Sequence, residues 1–104
     1  MSYHNIEPES LSAILSIPCI TIIDQRDDAT RSKGELAGAV APDETLMSKL
    51  VQQRRQNPPV LVYCYHGNQS RDLCAFLSQF GLQQVYNLAG GWDALQKWKA
   101  QQPA

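Results

Sequence analysis

Charge of one sign is scarce in these 104 residues: nine Lys and Arg stand against ten Asp and Glu, for a formal net charge of -1. That balance removes the electrostatic case for nucleic acid or an anionic membrane surface as a partner. The basic pair Arg54-Arg55 sits in a polar helical stretch and reads as a solvated face. Long apolar runs are also missing, so no segment spans a bilayer, and Met1 to Ser10 is too polar for a secretory signal. Cysteine is sparse and odd in number, at three, which excludes a disulfide framework and points to a reducing, cytoplasmic setting. The two histidines, His4 and His66, lie far apart and form no ligand-spaced group with cysteine, so no metal and no cofactor are expected. Repeats, linkers and low-complexity stretches are lacking, and the length suits one core. The reading is a single domain over 1–104, working as a monomer.

What is present alternates strand and helix. Tyr3 to Ile6 reads as a short strand, and Pro8 suits the first turn of a helix carrying Leu11, Ile14 and Leu15. Pro18 turns the chain into Ile20 to Asp24, a continuous β-branched strand. Cys19, at its start, reads as structural. Gln25 to Gly34 reads as loop with a short helix, and Ala39 to Ala41 as a brief strand. A helix is predicted over Asp43 to Gln56 on Leu46, Met47, Leu50 and Val51, halted by Asn57-Pro58-Pro59. Val60 to Tyr63 is the second strong strand. A helix follows with Leu73, Phe76, Leu77 and Phe80 at helical spacing, capped at Gly81. Val85-Tyr86 is a short strand, and Gly90-Gly91 opens a last helix with Trp92, Leu95 and Trp98, frayed from Ala100 onward. The two best strands lack polar alternation, which argues for a parallel sheet covered by helices on both faces.

Chemistry concentrates where Val60 to Tyr63 runs into Cys64-Tyr65-His66-Gly67-Asn68-Gln69-Ser70-Arg71. This order puts a thiol at the carboxyl end of a buried strand and at the mouth of a helix N-terminus, where ligands bind in open α/β sheets. An ordinary thiol, with a pKa of about 8.5, is mostly protonated at neutral pH, and helix-terminal amides or a nearby cation lower it. The amides from Tyr65 to Ser70 can turn inward as an anion nest, Gly67 supplying the backbone freedom and Arg71 a cation. Such a pocket suits covalent transfer through the sulfur of Cys64. The plain alternative is a buried, inert core thiol.

These residues resemble the rhodanese family, in which a cysteine opens a six-residue loop before a helix. Cys-Tyr-His-Gly-Asn at 64 to 68 is similar to the small single-domain thiosulfate sulfurtransferases of the GlpE type. Ile22-Ile23-Asp24-Gln25-Arg26 is similar to the family's strand ending in Asp-x-Arg, Gly34 to Ala39 to its Gly-His-Ile-Pro-Gly-Ala signature, and Asn87-Leu88-Ala89-Gly90-Gly91-Trp92 to its Gly-Gly-aromatic turn. The resemblance implies a three-layer α/β/α sandwich on a five-stranded, mostly parallel sheet. It also implies movement of sulfane sulfur from thiosulfate to cyanide or to a thiol acceptor such as reduced thioredoxin. Arg31 stands where the family has an aromatic residue and Glu35 where it has histidine, and no Arg or Lys directly follows the cysteine.

Tyr65, Gly67, Asn68, Gln69 and Ser70 are read as the loop that binds the donor. His66 either handles a proton or oxyanion, or shapes the loop. Arg71 is read as electrostatic support. Cys74 is read as a small core residue in preference to a second, resolving thiol. Asp24 and Arg26 read as an ion pair supporting the rim, Trp92 as pocket wall or core, and Gly90 and Gly91 as a turn or a close backbone approach. Two other functions compete. A cysteine phosphatase or arsenate reductase needs an arginine five residues past the cysteine's neighbour, where Ser70 stands, one short of Arg71. A non-turnover sulfur relay or binding module for a protein partner uses the same cysteine.

Overall fold

The computed structural model describes residues 3–103. Four strands, β1 (His4–Ile6), β2 (Thr21–Asp24), β3 (Val60–Tyr63) and β4 (Val85–Leu88), form one parallel sheet in the order β1-β4-β3-β2. The helices are α1 (Leu11–Leu15), α2 (Asp28–Arg31), α3 (Glu44–Gln52), α4 (Gln69–Gln79) and α5 (Gly91–Ala100), with single 3-10 turns at Pro8–Ser10 and Arg54–Gln56.

The chain first crosses from one edge of the sheet to the other, then steps back one strand at a time. Right-handed crossovers therefore put helices on opposite faces for the two directions. Alternation along each strand divides the core accordingly. Ile22, Leu61, Tyr63 and Leu88 face Leu11 and Leu95, with Trp92 and Trp98 packed alongside. Ile23, Val60, Val62 and Val85 face Leu50, Cys74 and Leu77. The result is the expected three-layer α/β/α sandwich, and no helix among the described residues is long and apolar enough to cross a membrane.

The fifth strand expected at Ala39 to Ala41 shrinks to one parallel bridge, Val40 to Ile23, made by Asp24 N–H to the Val40 carbonyl and Val40 N–H to the Ile22 carbonyl, both 2.9 Å. Pro42 lacks an N–H and Val40 is exposed, so neither hydrogen bonding nor burial extends the strand. The helix expected over Asp43 to Gln56 ends as α-helix at Gln52. Asp43 caps it by accepting from Leu46 N–H at 2.7 Å, and Asn57 reverses the chain in a left-handed conformation. In α4 the buried stripe is Ser70, Cys74, Leu77 and Ser78, while Phe76 and Phe80 lie against each other on the exposed side, their rings tilted by 59°. Small side chains let α4 lie close on the sheet, and that face excludes the two phenylalanines. β4 is longer than expected, through Leu88, and α5 keeps Ala100, whereas Ala104 lies outside the described residues. Cys19 is exposed in the turn before β2, with φ 61°.

Candidate active site

β2 and β3 end side by side at the C-terminal edge of the sheet, Asp24 in register with Tyr63. Asp24 is fully buried. Arg26 grips it through Nη2 to Oδ2 at 2.7 Å and Nε to Oδ1 at 3.0 Å, and Tyr63 Oη donates to Oδ2 at 2.7 Å. Arg26 Nη2 also donates to the Gly34 carbonyl at 2.6 Å, Leu36 N–H donates to Tyr63 Oη at 3.0 Å, and the guanidinium lies 4.2 Å from the Trp92 ring centroid. Burial works against the ionised carboxylate, but the Arg26 and Tyr63 hydrogen bonds outweigh it and hold Asp24 below the ordinary range. Burial pushes the Tyr63 phenol well up. The rim thus carries a closed ion-pair network. Arg31 and Glu35, the two departures from the family pattern, pair with each other at 3.2 Å on its outer side, with Arg31 Nε 3.8 Å from Asp24 Oδ2.

One strand over, Cys64 directly follows Tyr63 and has 2 % of its surface exposed. The loop turns back on it: Gly67 N–H reaches Sγ at 3.1 Å and Ser70 N–H at 3.4 Å, while Sγ donates to Ser70 Oγ at 3.3 Å. Burial raises the thiol's pKa, and donation to the ionised sulfur by the Ser70 hydroxyl and by the Ser70, Gly67 and Gln69 amides more than offsets it, leaving Cys64 below the ordinary thiol value.

The other side of the loop is held by the start of α5. Trp92 N–H donates to the Cys64 carbonyl at 2.8 Å and Asp93 N–H to the Tyr65 carbonyl at 2.9 Å. The first amides of a helix have no partner within it, and here the loop carbonyls supply one. This requires a backbone approach that only glycine allows. A Cβ on Gly91 (φ +65°) would sit 2.4 Å from the Cys64 carbonyl oxygen, and one on Gly67 (φ +90°) 2.8 Å from Gly90 N.

A pocket of about 290 Å³ opens over the sulfur, lined by Cys64, Tyr65, His66, Asn68 and Gln69. Tyr65 is half exposed beside it. His66 is largely exposed, its Nδ1 3.8 Å from Asp93 Oδ2, which also binds Lys97 at 3.1 Å. Trp92 lines a neighbouring groove with Arg26, Lys33 and Tyr65, not the sulfur pocket. Arg71 is not among the residues lining the sulfur pocket either. Its Nε donates to Tyr3 Oη at 3.3 Å on the exposed side of α4, so the expected cation at the sulfur is supplied instead by amide dipoles. Cys74 is buried against the Tyr86 carbonyl at 3.6 Å, and burial, with the Cys64 charge adding to it, pushes its thiol up to about 12, away from thiolate chemistry.

Two residues of this neighbourhood escape sequence reasoning. Ser70 Oγ donates to Asn87 Oδ1, and Asn87 Nδ2 donates to Asn5 Oδ1 at 2.9 Å. Asn87 is 1 % exposed in a strand whose other residues are Val85, Tyr86 and Leu88. A polar amide in an otherwise apolar strand is the signal that marks it.

The arrangement can hold a thiolate, accept an anion beside it and present the sulfur as a nucleophile, using residues of this chain alone. A family model for the Rhodanese-like domain matches residues 7–98. A protein from Pseudomonas fluorescens (strain SBW25) named thiosulfate sulfurtransferase GlpE is 31% identical over 102 residues, covering 98% of this chain and 90% of its own. One of the same name from Tolumonas auensis is 30% identical over 91 residues, covering 88% and 86%. The solution structure of a rhodanese-like domain from an Anabaena protein superposes with a TM-score of 0.71 at 25% identity, over 100% of this chain and 86% of that one. On the match over residues 7–98, the chain belongs to the rhodanese-like domain family.

Proposed function

We propose that the protein is a thiosulfate sulfurtransferase with Cys64 as its nucleophile. The observation that carries this is a thiol at the floor of a pocket, receiving the Gly67 and Ser70 amides and held below its ordinary pKa. The Cys64 thiolate attacks the outer sulfur of thiosulfate, the S–S bond breaks, and sulfite leaves with the electron pair. The loop amides stabilise the negative charge of the resulting persulfide. A second nucleophile, cyanide or the thiolate of a reduced thioredoxin-like dithiol protein, takes the outer sulfur, and Cys64 returns as thiolate. In this reading Tyr65, His66, Asn68 and Gln69 bound the donor site, and Asp24, Arg26, Gly90, Gly91 and Trp92 support it. The chain works as one domain, as a monomer in the cytoplasm and without cofactor. Arg71, turned to Tyr3, gives a phosphate no clamp, which disfavours the phosphatase alternative.

Intact-protein mass spectrometry after incubation with thiosulfate tests the proposal. The expected result is a gain of one sulfur atom, lost on adding cyanide and absent in Cys64→Ser. A wild type that gains no sulfur while Cys64 still alkylates rejects thiosulfate as donor, and loading that survives in Cys64→Ser rejects the nucleophile. Loading without turnover on cyanide, released by a dithiol protein, would mark the relay.

A further inference from the structure

We propose that Asn87 is a positioning residue for Cys64 that acts through Ser70, its side-chain amide turning over to reverse the direction of the hydrogen-bond chain when the sulfur changes from proton donor to acceptor. This deepens the proposed function and rests on Cys64 being the nucleophile.

The chain runs from Cys64 Sγ to Ser70 Oγ, from Ser70 to Asn87 Oδ1, and from Asn87 Nδ2 to Asn5 Oδ1. Ser70 has a single hydroxyl proton, and it goes to Asn87. The contact with sulfur is therefore one in which the thiol donates, the direction suited to protonated Cys64. A thiolate, or a sulfur already carrying a sulfane atom, has no proton to give. Ser70 must then turn its proton to the sulfur, which leaves its oxygen facing another acceptor, Asn87 Oδ1. A half-turn of the Asn87 amide removes the conflict. Nδ2 then donates to Ser70 Oγ, and Oδ1 accepts from Asn5.

Asn87 suits this because its two ends have nearly the same shape and opposite polarity, so the turn needs no repacking in a site that is almost fully buried. Asn5 is its register partner on β1 and shares its face of the sheet. Asn5 is exposed, so its own amide turns against water. The ionisable groups around the chain are Glu7, His66 and Arg71, which line a pocket with Asn5 and Asn87, and Cys74, which feels the Cys64 charge; His66 Nδ1 lies 3.8 Å from Asp93 Oδ2, Arg71 donates to Tyr3 and Cys74 to the Tyr86 carbonyl.

Asn5→Asp tests the inference. A carboxylate only accepts, so it holds Asn87 with Nδ2 outward and locks the chain in the thiol direction. Cys64 reactivity is read as the rate of alkylation by iodoacetamide at neutral pH, followed on the Cys64 peptide because Cys19 is exposed and alkylates as well. One hydrogen bond to a charged sulfur corresponds to a drop of about tenfold in that rate. The drop is expected to persist in 1 M salt, where the Debye length is about 3 Å and the exposed charge introduced on β1 is screened. His4→Asp, the same charge gain on the opposite face of β1, leaves the rate within about twofold. On the wild type, the Asn87 side-chain amide signals in a 1H–15N spectrum move with the Cys64 titration, and they stand still in Cys64→Ser. An unchanged rate in Asn5→Asp, an effect that vanishes in salt, or Asn87 signals that ignore the Cys64 titration each overturns the proposal. Alkylation needs no sulfur donor. A wild type that fails to load from thiosulfate yet shows the Asn5→Asp effect would remove the sulfur-transfer reading and keep the hydrogen-bond chain.

Discussion

Two neighbouring strands end at the same edge of one sheet and put that position to opposite uses. At the end of β2, Asp24 meets Arg26, Tyr63 and the outlying Arg31, and the groups it gathers are matched by partners of opposite charge or polarity. At the end of β3, the Gly67, Gln69 and Ser70 amides converge on one sulfur, a weak acceptor while it is a thiol, beside a Ser70 hydroxyl that accepts from it. In the first cluster the buried anion is met by charges and donors already in place. The second holds donors in reserve for charge that arises only when the thiol ionises or an anion arrives. Preorganised donors of this kind cost little in the resting state and act when charge develops. The matched end holds the adjoining strand termini together, and the end with donors in reserve is where we propose that sulfur is transferred.

The sharpest way to break this contrast is to open the matched end. Asp24→Ala leaves the Arg26 guanidinium buried without its carboxylate, and removing one member of a buried pair costs about 3–5 kcal/mol. Chemical denaturation is expected to show that loss near neutral pH. The Asp24 carboxyl titrates in the folded protein below its unfolded value, near 3.9, so its contribution is complete above that pH and is lost as pH falls through the lower, folded value. The gap between wild type and variant should therefore narrow in acid. A loss under about 1 kcal/mol would mean the network is incidental to the fold.

Next in size is the scaffold that separates the two ends. Gly91→Ala places a methyl group 2.4 Å from the Cys64 carbonyl oxygen at a backbone angle suited to glycine. The expected cost is about 2–3 kcal/mol, with slower Cys64 alkylation because the Trp92 and Asp93 amides lose their loop carbonyls. Gly38→Ala is the comparison: its φ is also positive, at +82°, but the space around it is open. It should cost about 1 kcal/mol and leave Cys64 alkylation alone. Equal effects of the two on Cys64 would show that the loop does not depend on the α5 contact.

Local pattern carries much of this molecule and stops at contacts between distant segments. The strand at Val60 to Tyr63, the cysteine after it and the glycine loop are consecutive, so their order alone predicts a thiol at a sheet edge. Phe76 and Phe80 mislead because helical periodicity finds an apolar face without saying which face a sheet accepts at close range. Arg71 misleads similarly: it is near the helix start in sequence, but it points to Tyr3. The fifth strand fails for want of hydrogen bonding beyond Val40. The links from α5 to Cys64 and from Asn5 through Asn87 to Ser70 join segments far apart in the chain, so no spacing encodes them.

The smallest expected effect concerns the outer edge of the matched cluster, where two unusual residues meet. Arg31 and Glu35 lie four apart with 3.2 Å between Nε and Oε2, and their side chains are 16% and 34% exposed. Glu35 keeps part of its carboxylate in water while Arg31 is mostly covered, so a double-mutant cycle with alanine at both positions should give a coupling of about 0.2–1 kcal/mol, falling as salt is added. Sulfur loading at Cys64 should not change, since neither residue lines its pocket. Arg31 also stands 3.8 Å from Asp24, and this makes the cycle informative about the cluster as a whole. A coupling above about 2 kcal/mol, insensitive to salt, would place Arg31 inside the buried network and extend the matched end out to Glu35. The expected small value leaves Arg31–Glu35 as a local pair at the edge of the network, with Asp24 held by Arg26 and Tyr63.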